Sequence, residues 1–136
     1  MPIVIDASIA MAWCFEDEAS NATDAVLDRL RDDEAVVPAL WRLEVTNVLL
    51  VAERRDRITE AQSTRFLDLL LQLRIRVDPS ATDPNAVLAI GRRHRLSAYD
   101  AAYLLLAERT ASPLATLDRR LSAAAMAAGV ELLLGG

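Results

Sequence analysis

The sequence predicts an α/β fold in which a mostly parallel sheet carries helices on both faces. Three observations predict it. The short runs Ile3-Val4-Ile5, Ala35-Val36-Val37 and Leu114-Ala115-Thr116-Leu117 are almost wholly apolar, without the alternation of a half-exposed strand, which is the pattern of strands buried on both sides. Between them lie stretches with apolar residues at three- and four-residue spacing, the mark of amphipathic helices. The connections are long enough for the helical crossovers that parallel strands require.

Composition sets the bounds. The 136 residues fit one domain, spanning 1–136, that buries a core without disulfides or a structural metal. The single cysteine, Cys14, excludes an internal disulfide and sits among Met11, Trp13 and Phe15 as a small hydrophobe, so a reducing, cytoplasmic setting is expected. No apolar run reaches the length of a membrane span, because Asp68 and Gln72 interrupt one Leu-rich stretch and Asp100 another. The N-terminus has no basic region or cleavage pattern, so secretion is not indicated. All 15 basic residues are arginine, and 20 acidic residues outweigh them to a net charge of -5. A mean field of that sign repels phosphate, so any nucleic-acid role must use local arginine clusters or metal ions. Four glycines, none in a phosphate-binding loop, argue against nucleotide cofactors.

The elements follow in order. Strand one, Ile3 to Ile5, ends in Asp6, and Ile9, Ala12 and Trp13 begin a short helix broken by Glu16-Asp17-Glu18. A second helix runs from about Ser20 to Arg31. Strand two, Ala35 to Val37, ends at Pro38, and a third helix spans 39–54. Arg55-Asp56-Arg57 is a turn, and Thr59-Glu60-Ala61-Gln62 is a capping box opening a fourth helix to about Leu73. The third and fourth helices form a hairpin after strand two; Phe66, Leu67, Leu69, Leu70 and Leu71 give the latter more apolar surface than one buried face needs, so a dimer or partner surface is expected there. Strand three is 75–78. Asp83-Pro84 starts a fifth helix closed by Arg92-Arg93-His94-Arg95, Ser97 starts a sixth through Glu108, and strand four is 114–117. Asp118 caps a last helix ended by Gly129, and Val130 to Leu134 reads as a fifth strand.

Four carboxylates have comparable settings. Asp6 ends strand one, Glu44 lies near the start of the helix after strand two, Asp100 lies in the first turn of the sixth helix, and Asp118 follows strand four. The C-terminal edge of a parallel sheet is where α/β folds keep their sites. Taken singly, each has an ordinary alternative: Asp6 and Asp118 as helix caps, Asp100 as the acid of a capping box with Ser97, Glu44 as a solvated residue. Taken together, they repel one another and call for a cation, and oxygen donors without nearby His or Cys favour Mg²⁺ or Mn²⁺ over zinc. Such ions activate water and clamp the oxygens of a phosphodiester.

Val4-Ile5-Asp6-Ala7-Ser8, Glu44 with Asn47 one turn on, Leu96-Ser97-Ala98-Tyr99-Asp100-Ala101-Ala102-Tyr103 and Ala115-Thr116-Leu117-Asp118 closely resemble, in this order, the PIN-domain nucleases, and among them the VapC toxins of toxin–antitoxin pairs. The resemblance covers essentially the whole chain and implies a compact α/β/α sandwich that binds Mg²⁺ or Mn²⁺ and cleaves RNA to 5′-phosphate and 3′-hydroxyl ends. It implies Asp6, Glu44, Asp100 and Asp118 as the catalytic acids, with Asp6 and Asp100 as main metal ligands, Asp118 supporting a second ion and Glu44 helping to activate water. Ser8, Asn47 and Thr116 match its supporting polar positions. The implied partners are a cognate VapB-like antitoxin and a second copy of the chain.

Arg92, Arg93 and Arg95, and Arg119 and Arg120, stand near Asp100 and Asp118 in the chain and are candidates for RNA contact, with solvation at helix ends as the alternative. His94, the sole histidine, reads as a helix-end residue, and Trp13 as a core residue more than a base-stacking one. A phosphatase using Asp6 as nucleophile is disfavoured because Asp6-Ala7-Ser8 lacks a second acid, and a phospho-receiver because the chain has no lysine. A catalytically silent PIN-like module that binds RNA or protein is the remaining rival.

Overall fold

The computed structural model describes residues 2–134. Four strands, β1 (Ile3–Ile5), β2 (Ala35–Val37), β3 (Ile75–Val77) and β4 (Leu114–Ala115), form one parallel sheet in the order β3-β2-β1-β4. Every residue of the two central strands is fully buried although successive side chains point to opposite faces, so helices cover both sides. β3 is an edge, and its outward Arg76 pairs with Glu34, a charge that blunts further strand pairing.

Seven α-helices make the layers: α1 (Ala7–Cys14), α2 (Asn21–Arg29), α3 (Leu40–Arg54), α4 (Glu60–Leu70), α5 (Pro84–His94), α6 (Ala98–Thr110) and α7 (Arg119–Ala127), with a 3₁₀ turn at Glu16–Glu18. Their starts follow local chemistry. Ser20 and Thr59 each head a reciprocal capping box, with Thr23 and Gln62 respectively, and Asp83 caps α5 ahead of Pro84. The α3–α4 hairpin expected after β2 is present. It is tied to the 3₁₀ turn by Arg57, which donates to Asp17 and Glu18 and lies 3.9 Å from the centroid of the Phe15 ring.

α6 is the central helix: Ala101, Ala102, Tyr103, Leu104, Leu106 and Ala107 are all buried. A tight turn from α5 sets its entry. Arg95 adopts the left-handed conformation at φ 56°, and a Cβ on Gly91 would stand 3.1 Å from the Leu96 carbonyl oxygen, so a small residue at 91 lets the two helices close up. Trp41, Ile5, Ile9 and Leu104 complete a core continuous across the sheet.

Two strand expectations are corrected. The stretch 130–134 is not a fifth strand: after Gly129, at φ 77°, it meets β4 at a single parallel bridge between Leu114 and Leu132. Among the described residues, only the Leu114 and Leu133 amides bond across it, to Glu131 and Leu114 carbonyl oxygens. β4 itself stops at Ala115, because the Leu117 and Asp118 amides turn away from the ladder to bond the hydroxyls of Ser8 and Thr116. The strand ends early where the site begins. No helix among the described residues is long and apolar enough to cross a membrane.

Candidate active site

The site grows from the carboxylate that ends β1. Asp6 is the N-cap of α1, its Oδ1 accepting the Ile9 amide at 3.4 Å, so the capping role is real. It does not exhaust the residue. Ser8 Oγ donates to Oδ1 at 2.5 Å and Thr116 Oγ1 donates to Oδ2, so both oxygens are clamped by hydroxyls from opposite ends of the chain. Those hydroxyls are fixed in turn. The Leu117 amide donates to Ser8 Oγ at 2.9 Å and the Asp118 amide to Thr116 Oγ1 at 3.0 Å. The parallel pairing of β1 with β4 brings these segments together.

Burial dominates the electrostatics of Asp6. The side chain is 5% exposed, and removal from water raises its carboxyl to about 6, with the hydroxyls of Ser8 and Thr116 opposing the rise and the Asp100 carboxylate adding to it. Asp100 stands half-buried in the first turn of α6, whose N-cap Ser97 accepts the Asp100 amide at 3.2 Å. Its carboxyl is raised by burial and then by the Asp118 carboxylate, while the Ser97 hydroxyl acts in the opposite direction. Glu44, half-buried on α3, is raised by burial and by Asp100, with the Tyr103 hydroxyl lowering it. Asp100 is thus the hub, within electrostatic reach of the other three acids. Asp118 is more open. It caps α7, its Oδ1 accepting the Leu121 amide at 2.9 Å.

The remaining candidates divide. Ser8 and Thr116 touch Asp6 directly, whereas Asn47 is exposed on α3 and, among the described residues, bonds none of the carboxylates. Arg92, Arg93 and Arg95 at the end of α5, and Arg119 and Arg120 at the start of α7, are exposed and form no ion pair among the described residues. Trp41 is 2% exposed, and the partly buried Trp13 ring donates through Nε1 to the Thr23 carbonyl at 2.9 Å, so both are structural. Cys14 is only partly buried; burial pushes its thiol up, Arg57 opposing. Tyr103, at the end of the Leu96–Tyr103 stretch, also enters the cluster. Its hydroxyl donates to Glu44 Oε1 at 2.5 Å. The three-residue spacing from Asp100 to Tyr103, one helical face, was the available signal.

All donors in the cluster are oxygens, which fits a hard divalent cation. Among the described residues no three His, Cys, Asp or Glu side chains converge into a metal-holding group. A set this open suits an ion that keeps several of its own waters, as Mg²⁺ does, better than a closed protein cage.

A four-stranded parallel sheet with acids gathered beyond its C-terminal edge defines the class: an α/β protein with an acidic, oxygen-only site. The PIN domain model matches residues 3–126, and the chain belongs to the PIN-domain family. Ribonuclease VapC9 of Mycobacterium tuberculosis is 35% identical over 88% of each chain. Ribonuclease VapC3 of Pyrobaculum aerophilum is 29% identical over 90% of this chain and 93% of its own. Among solved structures, PAE2754 from Pyrobaculum aerophilum superposes with a TM-score of 0.72 at 24% identity over 91% of this chain and 84% of its own. FitAcB from Neisseria gonorrhoeae gives 0.61 at 18% identity, over 96% and 95%. Both share the fold.

Proposed function

We propose that the protein is a divalent-metal-dependent endoribonuclease, the VapC-type toxin of a toxin–antitoxin pair, with Mg²⁺ or Mn²⁺ at the carboxylate cluster. The observation that carries the reading is geometric: Asp6, clamped by the Ser8 and Thr116 hydroxyls, Glu44, held by Tyr103, and Asp118 all lie within electrostatic reach of Asp100, a set of oxygen donors whose charge a dication would offset. The VapC ribonucleases among its relatives support the RNA substrate.

A cation held by Asp6 and Asp100, with Asp118 beside them, would supply counter-charge to the phosphodiester and make nearby water more acidic. The chain's own residues do the rest. Asp6, locked by Ser8 and Thr116, presents a carboxylate of fixed orientation, and Asp100 faces it from a helix whose entry is fixed by the α5–α6 turn. Glu44 has Oε1 occupied by Tyr103, which leaves Oε2 to take a proton from the attacking water. In-line attack by that water forms the new P–O bond and breaks the bond to the 3′ oxygen, which takes up a proton from solvent, so that a 5′-phosphate and a 3′-hydroxyl remain. Arg92, Arg93, Arg95, Arg119 and Arg120 offset the acidic field for an approaching RNA strand.

Free activity of this kind would damage the cell that makes it, so the proposed partner is a VapB-like antitoxin bound over a homodimer. Leu43, Leu69 and Leu71, 75%, 52% and 56% exposed, offer apolar surface for such contacts. The open spacing of the acids favours one rival, a PIN-like module that binds without cutting. Titrating Mn²⁺ into purified protein with end-labelled RNA separates them: the nuclease gives multiple turnovers that EDTA stops, whereas saturable binding without product would establish the module.

A further inference from the structure

We infer that Tyr103 is a positioning residue for Glu44, fixing which carboxylate oxygen faces the site. The inference rests on the nuclease reading above and goes beyond it, from Tyr103 as the occupant of one Glu44 oxygen to Tyr103 as the residue that sets the rate through Glu44. Tyr103 is 1% exposed and its ring belongs to the core, yet its hydroxyl leaves that core to donate to Glu44 Oε1 at 2.5 Å. The two residues are 59 positions apart, on α6 and α3, so the bond joins two layers of the site rather than neighbours on one helix.

The phenol serves a purpose that packing alone does not require. A buried hydroxyl must find an acceptor. The acceptor here is a half-buried acid of the catalytic cluster, when phenylalanine would fill the same core space without needing one. Tyr103 also shares a helical face with Asp100, three residues before it, so one rigid element carries both the hub acid and the donor that orients Glu44. Glu44 has no other hydrogen bond among the described residues. Without the phenol its side chain, half-buried on α3 directly after the exposed Arg42 and Leu43, would be free to rotate towards solvent.

The test compares wild type, Tyr103→Phe, Glu44→Gln and the double variant in single-turnover RNA cleavage with saturating Mn²⁺, together with the Tyr103 hydroxyl proton by NMR. Tyr103→Phe is expected to slow cleavage by about 10–100-fold, the usual range for a group that orients a catalytic one, with KM within about twofold. In the Glu44→Gln background the same change is expected to have no further effect, because the phenol acts only through Glu44. The hydroxyl proton is expected as a slowly exchanging downfield resonance that moves upfield in Glu44→Gln. Equal losses in both backgrounds, an unslowed Tyr103→Phe enzyme, or a hydroxyl resonance indifferent to residue 44 would overturn the inference. A wild type that cuts no RNA would instead remove the nuclease reading, and the resonance would still decide whether Tyr103 holds Glu44.

Discussion

Asp6→Asn is expected to lower the proposed RNA cleavage by on the order of 10³-fold and to leave the protein folded and more stable than wild type at pH 7 in EDTA. Both halves follow from one environment. The carboxylate is 5% exposed and its carboxyl is raised to about 6, so at pH 7 the native state carries a charge that burial disfavours. Asn keeps the shape and removes that charge; its Oδ1 still accepts from Ser8 and Ile9, while its Nδ2 can only donate, so the Thr116 hydroxyl must turn to accept it, and the net gain is on the order of 1–2 kcal/mol. Cleavage is lost because a neutral amide is a poor cation ligand. Asp100→Asn should fall to a similar extent for the same reason. Single-turnover cleavage with urea denaturation measures the two effects side by side, and full activity in either variant would sink the assignment.

The stability of the metal-free protein should fall as pH rises from about 4 to about 6. The folded-state value of about 6 for Asp6 lies above the ordinary 3.8, so between these values the native state binds more protons than the unfolded chain. The associated stabilisation is complete below 3.8 and lost as pH passes through about 6, a change on the order of 3 kcal/mol. Glu44 and Asp100 shift in the same direction and, being half-exposed, add less. Adding Mg²⁺ or Mn²⁺ at pH 7 should restore what was lost, by about 2.7 kcal/mol at a hundredfold excess over Kd. Asp6→Asn should show neither the slope nor most of the rescue. Urea titrations across pH, with EDTA or with metal, give the answer; a flat profile with no metal effect would contradict a cation site at Asp6.

The parts of the molecule legible in the sequence are those specified locally. The apolar runs at Ile3 and Ala35 had to be buried on both faces, and the Thr59–Gln62 capping box and Asp83-Pro84 start are determined within four residues. The acids were legible as a set because each follows a strand or opens a helix, places that parallel topology draws to one edge. What escaped was long-range. The Thr116 hydroxyl, which the family resemblance marked as a supporting group, reaches Asp6 across 110 positions, and Tyr103, which carried no role, reaches Glu44 across 59, so neither pairing can be read from spacing. The expected fifth strand failed for a related reason: apolar character marks Val130 to Leu134 for burial, but only Leu132 finds a bridge to β4. Asp6 itself shows why single residues mislead, since the residue that caps α1 is also the one whose two oxygens the Ser8 and Thr116 hydroxyls clamp.

The chemistry of the RNA ends tests the central claim most directly. An oligonucleotide cut by the purified protein with Mn²⁺ should carry a 5′-phosphate and a 3′-hydroxyl by mass spectrometry, and in ¹⁸O-labelled water the label should enter the 5′-phosphate. Cyclic 2′,3′-phosphate ends, or cleavage undiminished in EDTA, would place the chemistry elsewhere than in the carboxylate cluster at the edge of the sheet.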